Sequence, residues 1–545
     1  MGGRWLFGLS LLALSSVGLL HAQAPDDASF LSTLGELREA TYSDKATIVE
    51  RLGKTGHPST QAVLTAFLED RLYFRNGDQK VFLTKTAEGD PLNLIDPISL
   101  KDAGSSPADA LTKIGSNNGL RSTLRATVAH FALANPDPAV RLAAVREMSK
   151  ALNDPAIAAL QEGLKVETNA GVKKEMATAL ALAALDGSDG TARVAAVETL
   201  KQSVSQDVRN RLALLLDKNS DGSFAEKDDN VRKAAASAVG TIDSWRSFYS
   251  GIQTLFFGLS LGSVLVLIAI GLAITFGVMG VINMAHGELM MLGAYTTYVV
   301  QMVMPEHIGI SVLVAVPAAF IVAGLTGVIM ERTIIRFLYG RPLETLLATF
   351  GVSLILQQAV RSIFSANNRS VVTPEWMSGS LQVNDALAIT YNRLYIVIFA
   401  LFVFALILLV LKRTRLGLDI RAVSQNRSMA KAMGIRTEWV DAMTFGLGSG
   451  IAGVAGVALS QLTNVGPNLG QSYIIDSFMV VVFGGVGNLW GSLIGGMSMG
   501  AVNELLEPYV GAVLAKILVL VALILFIQRR PRGLFPQTGR AADDK

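Results

Sequence analysis

Apolar positions are distributed along this chain in three textures. Residues 6 to 20 form a short, largely apolar run behind Arg4, followed by Ala22-Gln23-Ala24 and Pro25. A basic start, a run shorter than the roughly 20 residues a membrane span needs, and a small-x-small site predict a signal peptide over 1–24. Residues 25–245 are mixed polar and apolar at helical spacing. Within them Asn135-Pro-Asp-Pro-Ala-Val-Arg, Ala170-Gly-Val-Lys-Lys, Gln206-Asp-Val-Arg and Asp229-Asn-Val-Arg each precede an alanine-rich stretch. This loose recurrence predicts an exported all-α domain of stacked, HEAT-like helical repeats. A Gly/Asp/Pro/Ser-rich stretch over roughly 75–120 breaks the pattern and predicts an excursion or a β-hairpin at Lys80-Val-Phe-Leu-Thr.

From 252 to 536 the texture changes again, to apolar runs at about 255–276, 289–304, 310–330, 345–364, 394–411, 441–463, 473–486, 489–505 and 510–528. They predict a polytopic α-helical membrane domain of eight or nine spans, ending in a tail over 537–545. The two runs between 473 and 505 are short and glycine-interrupted, as broken helices beside a transport path are. Lys and Arg collect in the 331–344 and 412–440 loops and after 528, which the positive-inside bias assigns to the cytoplasm. An exported N-terminal domain and a cytoplasmic C-terminus require an odd number of crossings, hence nine.

Composition narrows the function. Charged residues are 17% and hydrophobic residues 51% of 545, which excludes a wholly soluble or disordered chain. The net charge of +3 gives no footing for nucleic acid. The absence of cysteine removes disulfides and thiolate chemistry. No Gly-x-x-x-x-Gly-Lys-Ser/Thr phosphate loop is found, so energy for any pumping must come from another chain.

Four motifs carry the candidate chemistry. Asn283-Met-Ala-His-Gly-Glu288 follows the first span. A carboxamide, an imidazole and a carboxylate together at a membrane boundary are costly to desolvate, so Asn283, His286, Gly287 and Glu288 either tie a helix connection together on the cytoplasmic surface or line or gate the path. Arg415-Leu-Gly-Leu-Asp-Ile-Arg421-Ala422 through Met433-Gly434 is a basic amphipathic loop suited to docking into a partner's groove. Phe483-Gly-Gly-Val-Gly-Asn-Leu-Trp-Gly-Ser-Leu-Ile-Gly-Gly496 is a glycine-rich late segment, and Arg530-Pro-Arg-Gly-Leu-Phe535 opens the tail. In this order the four motifs resemble the branched-chain amino-acid-type ABC permeases. Met284 stands where that family usually has phenylalanine.

The resemblance covers nearly all of 252–536. It implies a non-catalytic importer subunit, not an enzyme, in the bacterial inner membrane. Its implied partners are a second permease subunit, two cytoplasmic ATPase subunits and a periplasmic substrate-binding protein. It also implies that Arg415, Gly417, Arg421, Ala422 and Gly434 contact the ATPase, and that Gly485, Gly487 and Asn488 belong with the Asn283–Glu288 signature. The signal peptide and the long N-terminal extension resemble the urea-transport branch of the family, so urea is the expected substrate, with branched-chain amino acids or short amides as the alternative. A path for neutral, planar urea needs hydrogen-bonding groups rather than countercharges. Gln357, Gln358, Gln461, Asn464, Asn488, Asn503 and Glu504 are polar groups in or beside the spans.

Two further readings are open at this stage. Asp217-Lys-Asn219-Ser-Asp221-Gly-Ser-Phe-Ala-Glu-Lys-Asp228 has EF-hand-like spacing, which suggests weak calcium binding through Asp217, Asn219, Asp221 and Asp228; no other cofactor is expected. A membrane-anchored sensor is the rival to a transporter, but it needs a cytoplasmic signalling domain, and only about a dozen residues follow Arg532.

Overall fold

The computed structural model describes residues 27–220 and 222–535. The expected signal peptide, Asp221 and the 537–545 tail lie outside the described residues. The chain divides into two compact units, one reaching Ser203 and running again from Asp207 to Thr241, the other holding Val204–Gln206 and all from Ile242 onward.

The first unit opens with α1 (Asp27–Glu36), α2 (Tyr42–Lys54) and α3 (Thr60–Leu68). A five-stranded antiparallel sheet follows, built from β1 (Leu72–Arg75), β2 (Val81–Thr84), β3 (Leu92–Ile95), β4 (Asp102–Ser106) and β5 (Leu111–Lys113), in the order β4-β3-β2-β1-β5. Tyr73 pairs with Phe82 across β1 and β2. Leu72, Val81 and Leu83 point to a core shared with Phe30, Leu34, Phe67, Leu120 and Leu124, while Tyr73, Phe82, Leu92, Leu94 and Leu111 cluster on the other face. The expectation of an all-α domain is corrected here: the unit is mostly helical and carries a small sheet. The strands are three to five residues long, and β2 is buried along its whole length. β1 and β2 form the β-hairpin expected near Lys80, and the other strands were not foreseen.

Helices α4 (Asn118–Ala132), α5 (Pro138–Met148), α6 (Asp154–Val166), α7 (Ala170–Ala184), α8 (Gly190–Leu200) and α9 (Gln206–Leu214) complete the unit, together with the first residues of α10 (Asp229–Met279). Their starts share one construction. Asp137, Asn169, Asp189 and Asp228 accept backbone N–H bonds at the starts of α5, α7, α8 and α10, which satisfies donors the helix itself cannot. In α5, α8 and α10 an arginine four residues after the cap ties loops together; in α7 that position is Lys173. Arg141 forks onto Glu167 at 2.7 and 2.8 Å and donates to the carbonyls of Asn135 and Pro136. Arg193 pairs with Glu226, and Arg232 donates to the carbonyls of Glu226 and Lys227.

The second unit holds the rest of α10, then α11 (His286–Val303), α12 (Ile308–Thr333), α13 (Pro342–Phe364), a hairpin of β6 (Ser380–Asn384) and β7 (Leu387–Thr390), and α14 (Tyr391–Arg413). Two short helices, α15 (Arg415–Gln425) and α16 (Arg427–Ala432), precede α17 (Thr437–Ser460), α18 (Leu469–Gly484), α19 (Leu489–Val510) and α20 (Ala512–Arg529). Every expected apolar run falls on one of these helices. Among the described residues, six helices are long and apolar enough to cross a membrane, and α18 is a shorter apolar helix. Against the expected eight or nine spans, α11 and α19 are not among the six; α11 carries Glu288, and α19 carries Glu504 and Glu507.

At the centre lies α17, almost wholly buried. Its sequence Gly446-Leu-Gly-Ser-Gly-Ile-Ala-Gly-Val-Ala-Gly456 presents small residues on every side, so helix backbones approach it closely. Gly448 meets Gly271 of α10, Gly453 meets Gly293 of α11, and Gly456 meets Met290. The faces left over on α12, α13, α14 and α20 are apolar and exposed, with Leu313, Ile355, Phe402 and Leu525 among them, as lipid-facing or partner-facing surfaces are.

Candidate translocation site and coupling surface

The chain turns back into the bundle after α10. Between Met279 and His286 the backbone is not helical, and α11 begins with the buried residues His286, Gly287 and Glu288. His286 Nε2 lies 3.0 Å from the carbonyl oxygen of Ile268. Ile268 is eleven residues before the end of α10, or about 16 Å at 1.5 Å per residue. The expectation of a motif at the membrane boundary is thus corrected to one in the bundle interior. Non-helical backbone at that depth is tolerated only inside protein or beside a cavity.

What meets the motif is a polar stripe on α13. Thr345, Thr349, Ser353 and Gln357 recur every fourth residue and are all buried, so they share one face. Thr349 Oγ1 accepts from the Met284 N–H at 3.1 Å. Ser353 Oγ and Gln357 Nε2 both donate to Glu288 Oε1, at 3.1 and 2.7 Å. Asn283 Oδ1 accepts from the Ala285 N–H at 3.0 Å. Each side chain also keeps one buried polar atom without a protein partner: Asn283 Nδ2, His286 Nδ1 and Glu288 Oε2, with the Tyr295 hydroxyl further along α11. Gly287 packs on Gly470 at the start of α18, where a Cβ on Gly470 would lie 2.5 Å from the Gly287 carbonyl carbon. The start of α18 therefore reaches the same depth, and two helix N-termini meet inside the bundle.

The glycine-rich late segment is elsewhere. Gly485 ends α18 at φ 103°, and Asn488 caps α19 by accepting from the N–H groups of Trp490 and Gly491 at 3.0 and 3.2 Å. Leu534 and Phe535 of the tail donate to the carbonyls of Phe483 and Gly484. Gly487 lies against Gly277, near the end of α10. The structure gives Gly485, Gly487 and Asn488 to a turn clamped by the tail, and does not bring them to Asn283–Glu288. Of the other polar groups read from the sequence, Gln461 and Asn503 are in or beside spans with a buried, unpartnered carbonyl oxygen each.

The basic loop forms two helices at one end of the bundle. Gly417, Ile420 and Val423 of α15 and Ala430 of α16 face inward, and the last three pack with Val440 of α17. Arg421 donates to the Leu411 carbonyl. Gly417 sits against the backbone of Leu411, and Ala422 accepts from the Asn426 N–H. Gly434, at φ 89°, turns the chain out of α16. Leu418, Met429 and Met433 are exposed beside the basic side chains. Arg336 lies 3.8 Å from Glu438 at this same end, so the basic zones around 331–344 and 412–440 are gathered together. Sequence reading passed over one pair here. Arg427 of α16 forks onto Asp441 of α17, with one arm at 3.0 Å.

For the calcium-like loop, Asp228 Oδ1 is engaged as the α10 cap, 2.8 Å from the Asn230 nitrogen. Asp217 uses its carbonyl to accept from Ala225, and Asn219 donates through Nδ2 to Ser223. Among the described residues no three acidic or histidine side chains converge as a metal site.

Comparison with known proteins bears on the membrane unit. Residues 254–527 match the family model described as branched-chain amino acid transport system / permease component. The chain belongs to that family. It is 30% identical over 296 residues to the high-affinity branched-chain amino acid transport system permease protein BraD of Pseudomonas aeruginosa, covering 52% of this chain and 96% of the relative. To LivH of Escherichia coli K12, named for the same transport system, it is 31% identical over 293 residues, 52% of this chain and 94% of the relative. A ribose import permease, RbsC of Haemophilus influenzae, is 23% identical over 252 residues, 45% of this chain and 74% of that protein. No solved structure matches. The relatives are permeases, and this chain is a permease component, not an enzyme.

Proposed function

We propose that the chain is the membrane-translocating subunit of an ATP-driven importer for a small organic solute. The single observation that carries this is the buried Asn283–Glu288 break, faced by the polar stripe of α13, within a unit that belongs to a permease family. Asn283, His286 and Glu288 act with Ser353 and Gln357 as hydrogen-bonding steps past which the solute moves. Gly287 keeps α18 close enough to close the path. The α15–α16 surface, with Arg415, Arg421, Leu418, Met429 and Met433 on it, docks a separate ATPase. A second permease and an extracytoplasmic binding protein complete the assembly, with the N-terminal unit outside and the C-terminus inside. The repeated cap-and-arginine construction supports reading the later helices of that unit as a short HEAT-like stack.

On substrate, the names of the relatives favour branched-chain amino acids. Urea has the N-terminal extension alone in its support. The test is uptake of labelled leucine and of labelled urea by cells expressing this chain with its neighbouring transporter subunits, against cells lacking only this chain. ATP-dependent leucine uptake that disappears with the chain is the expected result. Urea uptake alone reverses the substrate, and loss of neither overturns the permease reading.

A further inference from the structure

Beside its contacts with Leu411 of α14, the α15–α16 loop is held to α17 in two ways. Ile420, Val423 and Ala430 press on Val440 through apolar contacts, which are non-directional and permit sliding. The other hold is the Arg427 guanidinium. It forks onto both oxygens of Asp441, a carboxylate only 5% exposed in its side chain. Its plane lies 4.0 Å from the ring centroid of Tyr339, in the connection between α12 and α13. A forked charge-assisted pair fixes direction as well as distance, and stacking fixes the plane. One side chain therefore ties α16 to α17 and to the neighbouring connection. Nearby, Glu331 at the end of α12 is another buried carboxylate, with Arg332 3.6 Å away.

The helix it grips is the one that reaches the path. Gly453 and Gly456 of α17 pack on Gly293 and Met290 of α11, within two turns of Glu288. A displacement of α16 that is passed rigidly to α17 is felt along α11.

We propose that the Arg427–Asp441 pair is the latch that transmits movement of the α15–α16 loop to α17, a positioning role that rests on the importer reading above. Without the fork, the loop slides on its apolar seat, and ATP is hydrolysed without moving α17.

The test uses the complete transporter reconstituted in vesicles, wild type against Arg427→Ala, Arg427→Lys and Asp441→Asn. Co-purification of the ATPase, hydrolysis rate and solute uptake are measured on each preparation. Assembly and hydrolysis are expected to persist in all three variants. Uptake per ATP should fall by between about 5-fold and 150-fold in Arg427→Ala and Asp441→Asn, the range over which linked sites couple. Arg427→Lys, which keeps the charge but not the fork, should fall between these variants and wild type. Unchanged uptake per ATP in Arg427→Ala overturns the latch, as does a proportional loss of assembly, hydrolysis and uptake, which marks a merely structural brace. Wild-type vesicles with no ATP-dependent uptake overturn the importer reading itself, and the latch with it.

Discussion

Glu288 is the residue on which the site turns. Its Oε1 is doubly hydrogen-bonded and its Oε2 has no protein partner, an arrangement that leaves one acceptor for something else. Glu288→Gln keeps the volume and loses the carboxylate. It should lower uptake by at least about tenfold, equivalent to roughly 1.4 kcal/mol, with the chain still folded by its melting profile. The motif itself was legible in the sequence, because an imidazole and a carboxylate beside a long apolar run stand out. Its depth was not, since only the bond from His286 to Ile268 shows the chain turning inward. The four-residue spacing of Thr345, Thr349, Ser353 and Gln357 was a visible signal, but single polar residues in apolar runs do not announce a partner. In the sequence Arg427 is one of many basic residues of the 412–440 loop, because its meaning lies in Asp441, fourteen positions away.

In the first unit Glu167 offers a separate test at this scale. The Arg141 guanidinium and the N–H groups of Asn169 and Thr168 hold its carboxyl down to about 2, against an ordinary value of 4.5. A carboxyl whose folded value is depressed stabilises the fold fully above the ordinary value and loses that contribution as pH falls through the folded one. The stability difference between wild type and Glu167→Gln should therefore be constant above about pH 5 and shrink towards pH 2, read by thermal unfolding of the N-terminal unit across that range. A difference that does not change with pH would show that the pair contributes nothing through its charge.

At the scale of elements, close approach decides the packing of the membrane unit. The helices themselves were readable from apolar runs, and every run became one. What the runs did not show is which helix would be central. The glycine content of α17 is the physical reason, because backbone can reach backbone only where side chains are absent. A Cβ on Gly470 meets the Gly287 backbone, which no rotamer can relieve. Gly470→Val should cost about 1–3 kcal/mol or more, visible as a lowered melting temperature of the purified chain and loss of uptake. The same substitution at Gly351, where nothing lies within 4 Å of a Cβ, should change stability little. Of the small sheet, the sequence offered only a β-hairpin near Lys80, where β2 lies; the other strands, three to five residues long, are too short to show an alternating pattern. Phe82, buried between strands, should lose about 3–5 kcal/mol on truncation to Ala, measured by chemical denaturation.

At the scale of the whole molecule, the family match covers the membrane unit, and the N-terminal unit stands outside it. The proposal gives the membrane unit two working places, the basic and apolar surface of α15 and α16 and the polar break in its interior, with α17 packed against both α11 and the α15–α16 loop. The account's central claim is that solute passes Glu288. The chain has no cysteine, so Ser353→Cys creates a single reactive thiol beside that carboxylate. The most direct measurement is labelling of this thiol by a small, polar, membrane-impermeant maleimide in the complete transporter, at rest and during ATP turnover, with and without transported solute. The account predicts labelling that rises during turnover and is slowed by solute. A thiol that stays unlabelled while uptake proceeds would place the path elsewhere.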